Sequence, residues 1–199
     1  MQVCGITDVG LVRRDNQDAY AIRERTPSGH TVCVVCDGMG GTAGGQQASR
    51  IAVDTYVREL EKVLSLGMTP QQLREASSYA VSIANRAVRA AAQESEEYRN
   101  MGTTLVSAVS YGGGAVISNV GDSRAYHITP LTITRVTRDH SLVESMATAL
   151  DSAWNRRRNS SSCARSLLRI LTATSRLRRW HFALYTTAMP PVPIRSRIS

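Results

Sequence analysis

Two long amphipathic segments lie next to each other in the middle of the sequence, and strand-like segments flank them on both sides. Apolar residues recur every three or four positions over 48–64 and again over 73–91, which is the spacing of a helix with one buried face. Gly67 ends the first segment, while Thr69 and Pro70 supply an N-cap and a first-turn proline for the second. This order of strands, helices and strands predicts an α+β domain whose helix pair covers one face of a sheet.

Short β-like segments bounded by turn residues make up most of the remaining sequence up to residue 136. Strands are predicted at residues 2–7, 18–24, 31–36, 103–111, 115–119, 123–128 and 131–136. The glycines and the proline between the last four suit antiparallel hairpins. Glycines at positions 38, 40, 41, 44 and 45 predict a loop over residues 37–45.

The basic charge of the chain is confined to its C-terminal quarter. The 199 residues suffice for one domain, or for a domain with a tail. Residues 151–199 hold 10 arginines and a single acid, Asp151, whereas residues 1–150 hold 14 basic and 15 acidic residues. We therefore predict a domain over residues 1–145 and an atypical Arg/Ser-rich tail over 146–199 that is out of frame or disordered. Binding of nucleic acid or anionic lipid by this tail is the less favoured alternative, because it lacks interleaved aromatic residues and an amphipathic stripe.

The sequence contains no targeting or membrane signal of a familiar kind. No window approaches 18 uninterrupted apolar residues, so no membrane span is expected. Residues 1–6 lack the basic region and the apolar stretch of a secretory signal, which predicts a cytoplasmic location.

Cys33 and Cys36 form a C-x-x-C sequence inside a predicted strand. Side chains three residues apart on a strand point to opposite faces of the sheet. This geometry favours packing in the core over metal or redox chemistry. The four cysteines of the chain are too few and too scattered to indicate a disulfide framework.

Asp37 directly follows an apolar strand and opens the sequence Asp37-Gly38-Met39-Gly40-Gly41. A carboxylate in that position carries a large desolvation cost unless a cation offsets it. The glycines allow the backbone to turn and to bring carbonyl oxygens close to the same point. A hard divalent cation such as Mg²⁺ or Mn²⁺ suits such an oxygen-rich site. The alternative is that Asp37 caps the helix expected after Gly45, although eight residues separate the two.

Three more charged residues are candidates on weaker grounds. Asp18 and Asp122, like Asp37, lie where a loop meets the end of a strand. An aspartate in a Gly-Asp sequence such as Gly121-Asp122 is commonly only a turn former. Arg13 offers a bidentate fork suited to phosphate, but an arginine taken alone is more often a solvated surface charge.

Five short motifs occur in a fixed order along the chain. They are Arg13-x-x-Asn16-Gln17-Asp18, Asp37-Gly38-Met39-Gly40-Gly41, Met101-Gly102-Thr103-Thr104, Asn119-Val120-Gly121-Asp122-Ser123-Arg124 and Asp139-His140-Ser141-Leu142. In order and spacing the sequence resembles the bacterial metal-dependent Ser/Thr protein phosphatases of type 2C, also called PPM-type, up to about residue 145. This resemblance implies a four-layer α/β/β/α sandwich of two antiparallel sheets flanked by helices. It also implies hydrolysis of phosphoserine and phosphothreonine through a metal-bridged hydroxide.

The resemblance assigns a role to each candidate residue. Asp37 matches the carboxylate that bridges two Mn²⁺ or Mg²⁺ ions, and the Gly38 backbone carbonyl matches a ligand to one of them. Asp18 matches an acidic position that supports the metal site through water, and Asp122 matches a ligand of a third, weaker site. Arg13 matches the arginine that holds the substrate phosphate.

The resemblance also bears on two neighbouring residues and on the partners. Met39 stands where some eukaryotic relatives carry a general-acid histidine, and His140 is expected to be structural. Phosphorylated Ser/Thr proteins, among them a Ser/Thr protein kinase, are the implied partners, whereas nucleic acid is not expected.

The sequence departs from the family after about residue 150. Two further metal carboxylates, from an Asp-Gly-Leu-x-Asp and an Asp-Asn segment, are absent, and no Asp or Glu follows Asp151. We therefore expect fewer bound ions, impaired turnover and a sandwich that is incomplete at its C-terminal end. The alternative function is an inactive pseudophosphatase, or a partner-binding module.

Overall fold

The structure is a computed structural model that describes residues 2–11, 14–140 and 181–185. The strands are β1 (Asp18–Arg23), β2 (Val32–Met39), β3 (Gly102–Thr103), β4 (Leu105–Tyr111), β5 (Gly114–Val120), β6 (Arg124–Ile128), β7 (Ile133–Arg135) and β8 (His181–Tyr185). The helices are α1 (Gly41–Val63) and α2 (Pro70–Ala91), followed by one 3₁₀ turn at Glu96–Tyr98.

The strands form two antiparallel sheets. The first has the order β1-β2-β4-β5, with β3 paired to the end of β2, and the second has the order β7-β6-β8. Helices α1 and α2 pack against each other and against the first sheet. This arrangement confirms the predicted α+β class with antiparallel sheets. Over the described ranges the helices form one layer, on the first sheet.

The core lies between this helix pair and the first sheet. Alternate β2 residues, Val32, Val34 and Cys36, are fully buried in it. The hydroxyl of Tyr56 on α1 lies 2.7 Å from the hydroxyls of Ser77 on α2 and Ser107 on β4. These polar groups are deeply buried but satisfy one another, so the network costs little and fixes how the helices sit on the sheet.

The predicted start of the second helix is confirmed. Thr69 is the N-cap, and its hydroxyl accepts a hydrogen bond from the Gln72 backbone amide at 3.3 Å. The Gln72 side chain in turn accepts a bond from the Thr69 amide at 2.9 Å, which completes a capping box. Pro70 occupies the first helical position.

Two sequence predictions are wrong. Residues 2–7 form no strand; Ile6 is 94% exposed, and the contact of this stretch with β1 runs through the Tyr20 hydroxyl, which donates to the Gly5 carbonyl. The loop predicted over 37–45 is also wrong, because β2 continues to Met39 and α1 begins at Gly41. Gly38 and Gly40 allow close contacts with other backbone segments, whereas a Cβ at Gly41 would meet no atom within 4 Å.

The boundary predicted near residue 145 and the tail over 146–199 lie outside the described residues, except for β8. None of the helices within the described ranges is long and apolar enough to cross a membrane.

The two cysteines of the C-x-x-C sequence are free thiols in different surroundings. Cys36 lies in the core, whereas Cys33 lies on the other face of β2 and is half-buried. Burial raises the pKa of the Cys36 thiol to about 12 and that of Cys33 to about 11. The environments agree with the packing role expected from the sequence.

We predict that the native protein at about pH 8 reacts with a thiol reagent at Cys4 but not at Cys33 or Cys36, because only thiolates react and these two thiols stay protonated. A Cys163→Ser background leaves these three thiols alone to be counted. Titration with Ellman's reagent should give one reactive thiol in the folded chain and all three in urea. Native modification of Cys36 at the rate of Cys4 would contradict the buried placement.

Candidate functional site

Asp18 and Asp37 face each other across β1 and β2. They are register partners, and the neighbouring pair is joined by a hydrogen bond from the Gly38 amide to the Gln17 carbonyl at 3.1 Å. Asp18 and Asp37 therefore occupy a non-hydrogen-bonded position, where Cα atoms are about 4.5 Å apart and side chains share one face. Like charges in directly opposite positions destabilise a sheet, and a cation between them removes that penalty.

Two threonines fix the backbone of Asp37. The Asp37 amide donates to the Thr104 hydroxyl at 3.0 Å, and the Thr104 amide donates back to the Asp37 carbonyl at 2.9 Å. The Thr103 hydroxyl donates to the same carbonyl at 3.0 Å. The end of β2 is thus held from the side of β3 and β4, opposite to β1.

Gly38 lies where the first turns of α1 cross β2. A Cβ atom at Gly38 would lie 1.9 Å from the Gly45 carbonyl oxygen and 2.8 Å from the Gln17 carbonyl oxygen. Both neighbours are backbone, so no side-chain rotation creates space. The position requires glycine, which explains why glycine must follow Asp37 here.

Asp122 lies in the turn between β5 and β6, and this turn reaches the same threonine. Gly121 has a φ of +93°, and a Cβ there would lie 2.7 Å from Thr104 Cγ2. The Thr104 hydroxyl lies 2.6 Å from the hydroxyl of fully buried Ser123. Thr104 therefore contacts both the Asp37 backbone and the Asp122 turn, and it brings the two carboxylate-bearing segments together.

A partly buried ion pair lies next to the Asp122 turn. Arg124 on β6 binds Asp139 through Nη2 at 2.6 Å and through Nε at 3.1 Å, and Arg135 approaches the same carboxylate at 3.5 Å. The Asp139 side chain is 9% exposed. The hydrogen bonds from the Arg124 guanidinium hold the pKa of the Asp139 carboxyl below its usual value. The adjacent His140 is exposed, and its amide donates to the Gly121 carbonyl at 2.9 Å.

Asp139→Asn is expected to reduce the loss of stability that the protein shows as the pH falls into the acid range. The stability gained from a lowered carboxyl pKa is fully present above the unfolded value of about 3.9 and disappears as the pH falls through the folded value. Thermal unfolding should therefore separate the wild type from the variant most at about pH 6, and the difference should shrink as the pH falls below about 3.9. A constant difference in melting temperature over that range would contradict the ion pair.

The oxygen donors of this corner suit a hard divalent cation only in part. The facing carboxylates and nearby backbone carbonyls are the ligand types that Mg²⁺ and Mn²⁺ prefer. However, no group of three or more His, Cys, Asp or Glu side chains placed to hold a metal ion is found in the described part of the chain. Arg13, the predicted phosphate ligand, lies outside the described residues.

The alternative role of Asp37 as a helix cap is wrong. The N-cap of α1 is Gly40, which has no side-chain cap bond.

The sequence interpretation missed the residues that support the site. Thr104, Ser123, Arg124 and Asp139 stand within the quoted motifs but received no role. Their place in the quoted motifs was the sequence signal that could have identified them, and the hydrogen bonds show that they support the site.

A separate cavity of about 600 Å³ near the end of α2 contains none of the candidate site residues. It is lined by Arg89, Ala92, Gln93, Glu94, Ser95, Glu96, Arg99 and Met101.

Comparison with known proteins identifies similar chains in several bacteria. The serine/threonine phosphatase Stp of Listeria welshimeri is 32% identical over 140 residues, which are 70% of this chain and 55% of the relative. The protein phosphatase PhpP of Streptococcus pneumoniae is 34% identical over 150 residues, which are 75% of this chain and 59% of the relative. The chain thus spans a little over half the length of the curated relatives it matches.

A solved structure supports the same relationship. The serine/threonine phosphatase Stp1 from Staphylococcus aureus is 35% identical, with a TM-score of 0.64 over 72% of this chain and 56% of that one. The sequence also matches the family described as Protein phosphatase 2C over residues 13–174. With the antiparallel sheets and the helix pair that the fold displays, these matches establish that the chain belongs to the protein phosphatase 2C family.

Proposed function

We propose that this chain is a metal-dependent phosphatase that hydrolyses phosphoserine and phosphothreonine in proteins, with turnover impaired by the missing downstream metal carboxylates. The observation that carries the proposal is the facing pair of Asp18 and Asp37 at the end of β1 and β2, within a chain of the protein phosphatase 2C family. Proteins bearing phosphoserine or phosphothreonine are the proposed substrates, and a Ser/Thr protein kinase is the proposed regulatory counterpart.

The proposed roles follow from the chemistry of the side chains. In an intact family member, the residues matching Asp37 and the Gly38 carbonyl would hold two Mn²⁺ or Mg²⁺ ions, the residue matching Asp18 would support them through water, and the residue matching Asp122 would hold a third. Here the same residues would hold fewer ions, because the downstream metal carboxylates of the family are absent. Bound ions of this kind supply an activated water and neutralise phosphoryl oxygens. Arg13 would orient the substrate phosphate with its bidentate guanidinium.

The second candidate function is a pseudophosphatase that binds a phosphoprotein partner without turnover. Two observations favour it: the described residues contain no group of three or more His, Cys, Asp or Glu side chains placed to hold a metal ion, and no Asp or Glu follows Asp151. Under the pseudophosphatase alternative, Arg13 would retain phosphate binding while hydrolysis is lost.

The family match extends to residue 174, so the domain boundary near residue 145 stays a prediction.

Hydrolysis of a phosphothreonine peptide by the full chain distinguishes these functions. Phosphate release should require added Mn²⁺ or Mg²⁺ and stop with EDTA if the first function holds. A folded chain that binds the phosphopeptide but releases no phosphate at any metal concentration would support the second. A salt-sensitive shift of nucleic acid that disappears on deletion of residues 151–199 would instead support the basic tail as a binding module.

A further inference from the structure

Residues 137–140, here called the 137–140 segment, lie against the turn that carries Asp122. The His140 amide donates to the Gly121 carbonyl at 2.9 Å, and the Asn119 side-chain amide donates to the Arg138 carbonyl at 2.8 Å. Both bonds attach the segment to the part of the turn that precedes Asp122, so a movement of that part would displace the segment.

The Arg124–Asp139 pair anchors the 137–140 segment to β6. It combines charge with two hydrogen bonds, at 2.6 and 3.1 Å, between a buried carboxylate and a half-buried guanidinium. Bidentate pairs of this type set direction as well as distance. Arg124 is also the second residue after Asp122, so the anchor acts next to the turn itself.

A hydrogen-bonded path leads from this anchor to Asp37. The Ser123 hydroxyl lies 2.6 Å from the Thr104 hydroxyl, which accepts the Asp37 amide at 3.0 Å. Each hydroxyl in the path is buried or half-buried. A change in the position of the Asp122 turn therefore reaches the backbone of Asp37 through two side chains.

We propose that Arg124 and Asp139 are positioning residues that fix the Asp122 turn and, through Ser123 and Thr104, the backbone of Asp37. The proposal rests on the proposed phosphatase function, because it gives these residues a purpose in placing carboxylates for divalent ions. Removal of a residue that orients a metal ligand without touching the metal typically changes metal affinity by about 10- to 100-fold.

The test compares Asp139→Asn and Arg124→Lys with a matched control, Glu59→Gln. Glu59 is also a largely buried carboxylate, 11% exposed, and it forms ion pairs with Arg58 and Lys62. It lies on α1, away from the site. Mn²⁺ binding to the full chain is measured from the free Mn²⁺ signal in electron paramagnetic resonance. Amide hydrogen exchange is measured without metal at residues 37, 104 and 121–123.

Asp139→Asn is expected to weaken Mn²⁺ binding by about tenfold or more and to accelerate exchange at those residues, with a smaller effect for Arg124→Lys. The control is expected to change neither quantity. Unchanged Mn²⁺ affinity and unchanged exchange in folded Asp139→Asn would overturn the proposal. If the wild-type chain itself neither binds Mn²⁺ nor hydrolyses phosphopeptide, the proposed function fails, and the exchange data alone decide the positioning role.

Discussion

Asp37→Asn is expected to abolish metal-dependent phosphate release from a phosphothreonine peptide. Asparagine retains the size of the side chain but loses the negative charge that would bind the divalent cation. Metal ions contribute several kcal/mol of transition-state stabilisation, so the rate should fall by about 1,000-fold. The loss should appear in kcat at saturating Mn²⁺. Added Mn²⁺ should raise the melting temperature of the wild type but not that of the variant.

Asp54→Asn is the matched control for this prediction. Asp54 is an exposed aspartate on α1, and its replacement removes the same charge from the chain without touching the candidate site. Its activity and its response to Mn²⁺ should equal those of the wild type. Retention of more than about a tenth of the wild-type rate by Asp37→Asn, a loss below about 1.4 kcal/mol, would rule out Asp37 as the central metal ligand.

The sequence correctly predicted the start of the helix that depends only on residues close to one another in the chain. The start of α2 depends on Thr69, Pro70 and Gln72, which lie within one turn of each other, and the structure reproduces it. The stretch after Asp37 behaves differently. Its glycines indicated a loop, but β2 continues through Gly38 because that residue must lie under Gly45 and beside Gln17. The contact with Gln17 involves a distant part of the chain and leaves no local pattern.

The same distinction explains the candidate site. The aspartates could be found from their positions at strand ends, but the pairing of Asp18 with Asp37 depends on the register of β1 and β2. The contact of Thr104 with Ser123 joins hydroxyls that are 19 residues apart. Such residues have no unusual charge or spacing, so their supporting role becomes visible only when the strands are assembled.

Gly38→Ala is expected to destabilise the fold more than any surface substitution. The added methyl group would lie 1.9 Å from the Gly45 carbonyl oxygen, so α1 must shift away from β2 or the strand must distort. Overpacking against fixed backbone costs about 3 kcal/mol or more. Because native domains are stable by only about 5–15 kcal/mol, urea unfolding followed by circular dichroism should detect a large decrease in the midpoint.

Gly113→Ala provides the control for the loss of glycine itself. A Cβ at Gly113, in the turn between β4 and β5, would meet no atom within 4 Å. Its free energy of unfolding should stay within about 0.5 kcal/mol of the wild type. If Gly38→Ala unfolds at the same urea concentration as Gly113→Ala, the close crossing of α1 over β2 is incorrect.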